Sequence, residues 1–282
     1  MRGPQVASVK PMATAVFFHA HPDDEAIATG GTMARLAAEG HRVVLVTATG
    51  GELGEVPDGL LEPGEDLAGR RAKELQAACD ALGVSRQVIL GYGDSGMAGE
   101  PTNDRAGSFW RTDVEAAAAR LAELLREEQA EVLVHYDENG NYGHPDHIQV
   151  HRVGSRAAEL AGTPRVFMAT VNRTYLQGLA ERAEELGVRL PGDDGEGDGE
   201  GGPPEIGELG VEESRITTEV DVRAFLAAKR AAMQAHASQI AETSFFLAVP
   251  PEAFEALWGT EWYIRVGAER RQPVESHLLD AG

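Results

Sequence analysis

Five short apolar runs rich in β-branched residues, at 13–19, 42–49, 87–91, 131–136 and 165–171, are separated by segments of helical period. None of the runs alternates apolar with polar residues, so each reads as a strand covered on both faces. That pattern predicts an α/β chain with a Rossmann-like, doubly wound, mostly parallel sheet and helices on both faces. Helices are expected over 26–39, 66–82, 109–129 and 146–161, and glycines at 40, 83 and 162 stop three of them. Farther on, 215–220 reads as a strand, 222–237 as a helix and 262–266 as an edge strand, a small C-terminal extension packing on the same sheet. The expected division is a flexible N-terminus (1–12), an α/β core (13–190), an acidic Gly-rich loop (191–210), a C-terminal part on the core (211–267) and a tail (268–282).

Composition narrows the classes of function. A chain of 282 residues, 42% hydrophobic, can bury a full core without staples. Its single cysteine, Cys79, excludes an intrachain disulfide and a Cys-based zinc site, so any chemistry rests on histidine and carboxylate. A net charge of -21 repels phosphate backbones and anionic membranes. A small, neutral or weakly charged molecule is therefore the expected partner, with no nucleic acid and no membrane; a homo-oligomer is left open. The first ten residues lack the apolar stretch of a signal peptide, and no run of about 18 apolar residues occurs, which reads as a cytoplasmic protein.

Two clusters carry the chemistry. His21-Pro-Asp-Asp-Glu25 follows the first strand-like run, and His144-Pro-Asp-His147 follows the fourth. In the strand order 3-2-1-4-5, strands 1 and 4 are neighbours and ligands bind beyond their carboxyl ends, so the clusters should face each other. Three His/carboxylate ligands and a water describe a catalytic zinc site, and a carboxylate beside it can serve as base. Asp23 and Asp24 cannot easily point the same way in a tight turn, so one ligates and the other acts as base; spacing does not say which. The second cluster spaces its histidines at i and i+3, unlike the i, i+4 pair of His-Glu-x-x-His metalloproteases, and Asp146 could orient either ring. The plainer alternative makes Pro22 and Pro145 helix-start prolines, with Asp23 and Asp146 satisfying free N–H groups. His19, His135 and His151 read as core or surface residues, and His41 and His277 carry no signal. Neither a dinucleotide or phosphate-binding glycine loop nor a Gly-x-Ser-x-Gly elbow is present.

With His21-Pro-Asp-Asp24, Thr49-Gly-Gly-Glu52, Asp94-Ser-Gly96 and Tyr142-Gly-His-Pro-Asp-His147 in this order, the chain resembles the PIG-L/LmbE family of zinc-dependent N-deacetylases over roughly 14–175. His236-Ala-Ser-Gln239 and Phe245-Phe-Leu-Ala-Val-Pro250 look like the C-terminal part of mycothiol-pathway members. The resemblance implies that His21, Asp24 and His147 ligate Zn²⁺ and that Asp23 is the general base. It further implies that His144 stabilises the oxyanion or protonates the leaving amine, with Asp146 behind it and Tyr142 as a second oxyanion donor. Arg71 and Asp94 match positions that hold substrate hydroxyls, although Arg71 could equally be a surface partner of Glu74 on one helix. Ala26 stands where mycothiol-type relatives tend to carry Ser, which leaves the exact substrate open. Fe²⁺ can replace Zn²⁺ in such a donor set. The expected activity is hydrolytic removal of an acyl group, most simply acetyl, from an N-acylated amino sugar. The rivals are a mycothiol S-conjugate amidase and, from another class, a non-catalytic sugar- or nucleotide-binding module.

Overall fold

The computed structural model describes residues 12–57, 59–182 and 206–280; the expectations for residues 1–11 and for the acidic stretch at 191–204 lie outside them. Five parallel strands, β1 (Thr14–His19), β2 (Arg42–Thr49), β3 (Arg86–Tyr92), β4 (Val132–Tyr136) and β5 (Arg165–Thr170), match the five apolar runs. Two antiparallel strands, β6 (Thr218–Asp221) and β7 (Thr260–Arg265), complete a seven-stranded sheet in the order β3-β2-β1-β4-β5-β7-β6. The 262–266 run is thus no edge strand. Phe167 to Thr170 pair with Arg265 to Trp262 on one side of β7, and Thr218 to Asp221 pair with Tyr263 to Thr260 on the other. Its residues alternate as an edge strand's would, but β6 folds back outside it and takes the edge.

Successive strand residues supply opposite faces of the sheet. Phe17 belongs to the core that holds Leu45, Met33, Leu75, Phe167 and Tyr263, whereas Phe18 belongs to the one with Val44, Phe109, Leu121, Leu125 and Val150 on the other side. Both phenylalanines are fully buried, each worth roughly 1.5–3 kcal/mol of apolar transfer.

Helices α1 (Asp24–Ala28) and α2 (Gly30–Ala38) occupy the expected 26–39 segment, with a break at Thr29. The cause is remote: the Glu261 carboxylate on β7 accepts the Gly31 and Thr32 N–H groups at 2.8 Å each, starting a new helix there. A Cβ at position 31 would lie 2.5 Å from Val222, so only glycine allows this approach. Helix α3 (Leu67–Leu82) is capped by Asp66, which accepts the Gly69 N–H, and ends at Gly83 in the left-handed region. The expected 109–129 helix is a 3₁₀ turn (Phe109–Arg111) followed by α4 (Val114–Glu127), because Asp113 caps the latter by accepting the Ala116 N–H. Helix α5 (Pro145–Ala161) opens on the second cluster and ends at Gly162, also left-handed. Helices α6 (Arg173–Ala180), α7 (Leu226–Ala235) and α8 (Pro251–Trp258) follow. Because β1 pairs directly with β4, from Ala15↔Val132 to Phe17↔Val134, the turns after these strands share one end of the sheet.

Candidate active site

His21 and Asp24 sit in the turn leaving β1, and His147 occupies the first turn of α5, where Pro145 takes the first helical position that its fixed φ suits. Asp24 joins the two histidines: its Oδ2 lies 3.6 Å from His21 Nδ1 and its Oδ1 3.4 Å from His147 Nε2. Ligand atoms each about 2.0–2.1 Å from one tetrahedral ion are roughly 3.4 Å apart; each separation is near that value, with the two histidines facing different oxygens of Asp24. Burial would depress the His21 imidazolium, but Asp146, Asp24 and Asp94 outweigh it and hold that ring well above the ordinary histidine value. His147 behaves oppositely: burial lowers it to about 4 although Asp24 opposes the fall. Burial also opposes ionisation of Asp24, yet His147 and His21 keep its carboxyl well below the usual range.

Nitrogens of His21, His144 and His147 all lie within 4.8 Å of one another, which makes His144 a competing third ligand by distance alone. Hydrogen bonding decides against it. His144 Nδ1 accepts the Asp146 backbone N–H at 3.1 Å, so the neutral ring carries its hydrogen on Nε2 and presents a donor rather than a lone pair. Burial, followed by the charges of His21 and His147, pushes His144 down to about 2 and keeps it neutral. The Asp146 carboxylate does not lie behind His144. It accepts from His21 Nε2 at 3.2 Å, from the Ser95 N–H at 2.9 Å and from the Ser95 hydroxyl. That contact leaves His21 Nδ1 facing Asp24, the arrangement in which a carboxylate orients a metal-binding imidazole.

Asp94 is 3.6 Å from His21 Nε2, but its oxygens are taken by the Gly96 and Leu53 N–H groups. Its own N–H donates to Glu52 at 3.0 Å, tying the Gly-Gly-Glu loop to the site. Asp23 points to Arg71, 3.2 Å away. Burial raises the Asp23 carboxyl to about 6; Arg71 opposes the rise and Asp24 adds to it. Arg71 also donates to the Gly51 and Pro22 carbonyls at 2.7 and 2.6 Å, so the buried guanidinium braces the turn that carries Asp23. Glu74, its expected surface partner, is buried and binds Ser238 instead. The Tyr142 hydroxyl lies 3.3 Å from His147 Nε2, and burial together with Asp24 and Asp23 keeps it a protonated donor.

A family model described as GlcNAc-PI de-N-acetylase, PIG-L, matches residues 16–158, slightly more than half of the chain. The chain belongs to the PIG-L family. It is 44% identical over 290 residues to a 1D-myo-inositol 2-acetamido-2-deoxy-alpha-D-glucopyranoside deacetylase of Streptomyces avermitilis, covering 93% of this chain and 95% of that one. In fold it is similar to the N,N'-diacetylchitobiose deacetylase of Pyrococcus horikoshii, with a TM-score of 0.54 and 21% identity over 90% of this chain and 83% of that one. It is equally similar to GalB, a 4-carboxy-2-hydroxymuconate hydratase of Pseudomonas putida, with a TM-score of 0.55 and 18% identity over 92% and 98%.

Around the PIG-L motifs stand residues that sequence reasoning left aside. Tyr136 stacks on His147 with ring centroids 4.6 Å apart and planes 17° from parallel. His19, read as a core or surface histidine, is buried beneath the site and bridges the Tyr136 hydroxyl (2.7 Å) to Thr29 (2.9 Å). Ser95 is fully buried, and its hydroxyl also accepts the Trp110 N–H at 2.9 Å. A signal for Ser95 existed, since it sits inside the Asp-Ser-Gly motif. Tyr136 had none, because an aromatic at a strand end normally reads as core.

Proposed function

We propose that this protein removes the acetyl group of 1D-myo-inositol 2-acetamido-2-deoxy-α-D-glucopyranoside by metal-dependent hydrolysis, and that Zn²⁺ or Fe²⁺ is held by His21, Asp24 and His147. The observation that carries the metal assignment is Asp24 lying between two imidazoles at ligand-like separations. Histidine and carboxylate suit either ion. The substrate follows from the deacetylase relatives that span nearly the whole chain. A divalent ion there supplies Lewis acidity toward a carbonyl and a water.

The remaining work falls to the chain's own groups. Asp23, raised toward neutrality, takes the proton from the attacking water. His144, neutral with its hydrogen on Nε2, donates to the carbonyl oxygen as negative charge develops there, and the Tyr142 phenol is a second donor. The proton that Asp23 has gained then passes to the departing amine. Asp146, itself held by Ser95, orients His21, and Arg71 holds Asp23; Asp94, 3.6 Å from His21 Nε2, is the candidate for binding a substrate hydroxyl.

The test is acetate release from the acetamido-glucosyl-inositol by the metal-loaded protein, with Asp23→Asn and His147→Ala alongside. Turnover by wild type and a loss of about 10²-fold or more in both variants supports the proposal. Wild-type protein that cleaves a mycothiol S-conjugate and releases no acetate from the glucosaminide overturns it.

A further inference from the structure

Asp23 adopts φ 122° and ψ −33°, a backbone conformation that a residue with a side chain rarely takes and that persists only where its surroundings over-determine it. Arg71 holds one side of this turn through the Pro22 carbonyl and the Asp23 carboxylate. The other side is held by Glu25, whose Oε2 accepts the Asp23 N–H at 2.9 Å. The second oxygen of Glu25 lies 2.6 Å from Nε2 of His236, and both residues are fully buried. His236 stands at the C-terminal end of α7, 211 residues farther along and outside the 16–158 segment that the family model matches. Its Nδ1 is buried without a partner, so the side chain's polar contact is made through Nε2 alone.

A buried carboxylate needs a compensating partner to keep one orientation. Two atoms of Glu25 are thus committed in opposite directions, one toward the base and one toward the C-terminal part. The geometry points to His236 as a positioning residue: it fixes the Glu25 carboxylate, which fixes the Asp23 amide and so aims the Asp23 carboxylate for proton abstraction. This deepens the proposed function and rests on Asp23 being the base.

Asparagine and glutamine separate positioning from mere packing, because the glutamine amide nitrogen can reach where His236 Nε2 sits and the asparagine amide stops short. Metal-loaded full-length protein carrying His236→Gln, His236→Asn or His236→Leu would be assayed on the acetamido-glucosyl-inositol for kcat, KM, metal stoichiometry and thermal midpoint, beside wild type and Asp23→Asn. Asn and Leu should lower kcat by roughly 10- to 100-fold, the scale of a misplacement of about 1 Å. KM should stay within about twofold, metal content should match wild type, and Gln should recover most of kcat. Equal kcat in the Gln and Asn variants, a loss that follows metal content, or failure of both Asn and Leu to fold makes His236 a structural residue and overturns the proposal. An inactive Asp23→Asn beside a fully active His236→Asn sinks the positioning role alone. An active Asp23→Asn removes the base assignment itself.

Discussion

Histidines meet carboxylates at both ends of the sheet. At the carboxyl ends of β1 and β4 stand His21, His144 and His147 with Asp23, Asp24 and Asp146; at the opposite end His41, His277, Glu39 and Asp280 line an open cavity of about 260 Å³ with Arg35 and Ser276. In the second group His41 Nδ1 accepts the Ala13 N–H and His277 Nδ1 accepts the Leu279 N–H. Their Nε2 atoms lie 3.9 and 2.6 Å from the same Glu39 oxygen. His277 Nε2 latches the C-terminal segment to the end of α2 through Glu39, and His41 Nε2 stands beyond hydrogen-bond range of that oxygen. His21 is wired the other way, with Nε2 spent on Asp146 and Nδ1 facing Asp24. The residue types are alike; what differs is which ring nitrogen a neighbour claims.

Metal binding should distinguish the two ends. Chelation should abolish acetate release, and metal titration should load one ion per chain, an uptake that His147→Ala removes and His277→Ala leaves intact. Two ions per chain would break the contrast. Asp23→Asn should lower kcat by about 10²–10⁴ with the ion still bound. For His144→Ala a loss of roughly 10²–10³ is expected, again at full metal content; depleted metal would make His144 a ligand and rule out a hydrogen on its Nε2. The smallest effect belongs to the far end. His277→Ala should leave kcat unchanged and cost no more than about 1 kcal/mol in a denaturant melt, because Glu39 is 36% exposed.

Much of the end that carries the two His-Pro-Asp clusters was legible beforehand. The five parallel strands, the helix stops at Gly83 and Gly162 and the meeting of the two clusters follow from local periodicity, capping chemistry and one rule about neighbouring strands. Arg71 was visible as a candidate, but its attachment to the turn at Pro22 and Asp23 was not, because the competing partner Glu74 is nearer in sequence. The break at Thr29 was hidden because its cause, Glu261, lies about 230 residues away. Fold alone is also a poor guide to reaction, since a hydratase and a deacetylase resemble this chain about equally well.

The residue order was enough for the five parallel strands, the two His-Pro-Asp clusters and the family, because these depend on spacings of a few residues and on the strand to which each motif is attached. Only the tertiary structure decided how the groups are wired: Asp146 on His21, a backbone hydrogen bond making His144 a donor, β7 inside the sheet, and Glu25 tied to a histidine from the C-terminal part. Hydrogen bonds form between whichever polar atoms the packed sheet and helices bring within about 3 Å. For most of these pairs the partners are tens to hundreds of residues apart, where no local pattern can name them.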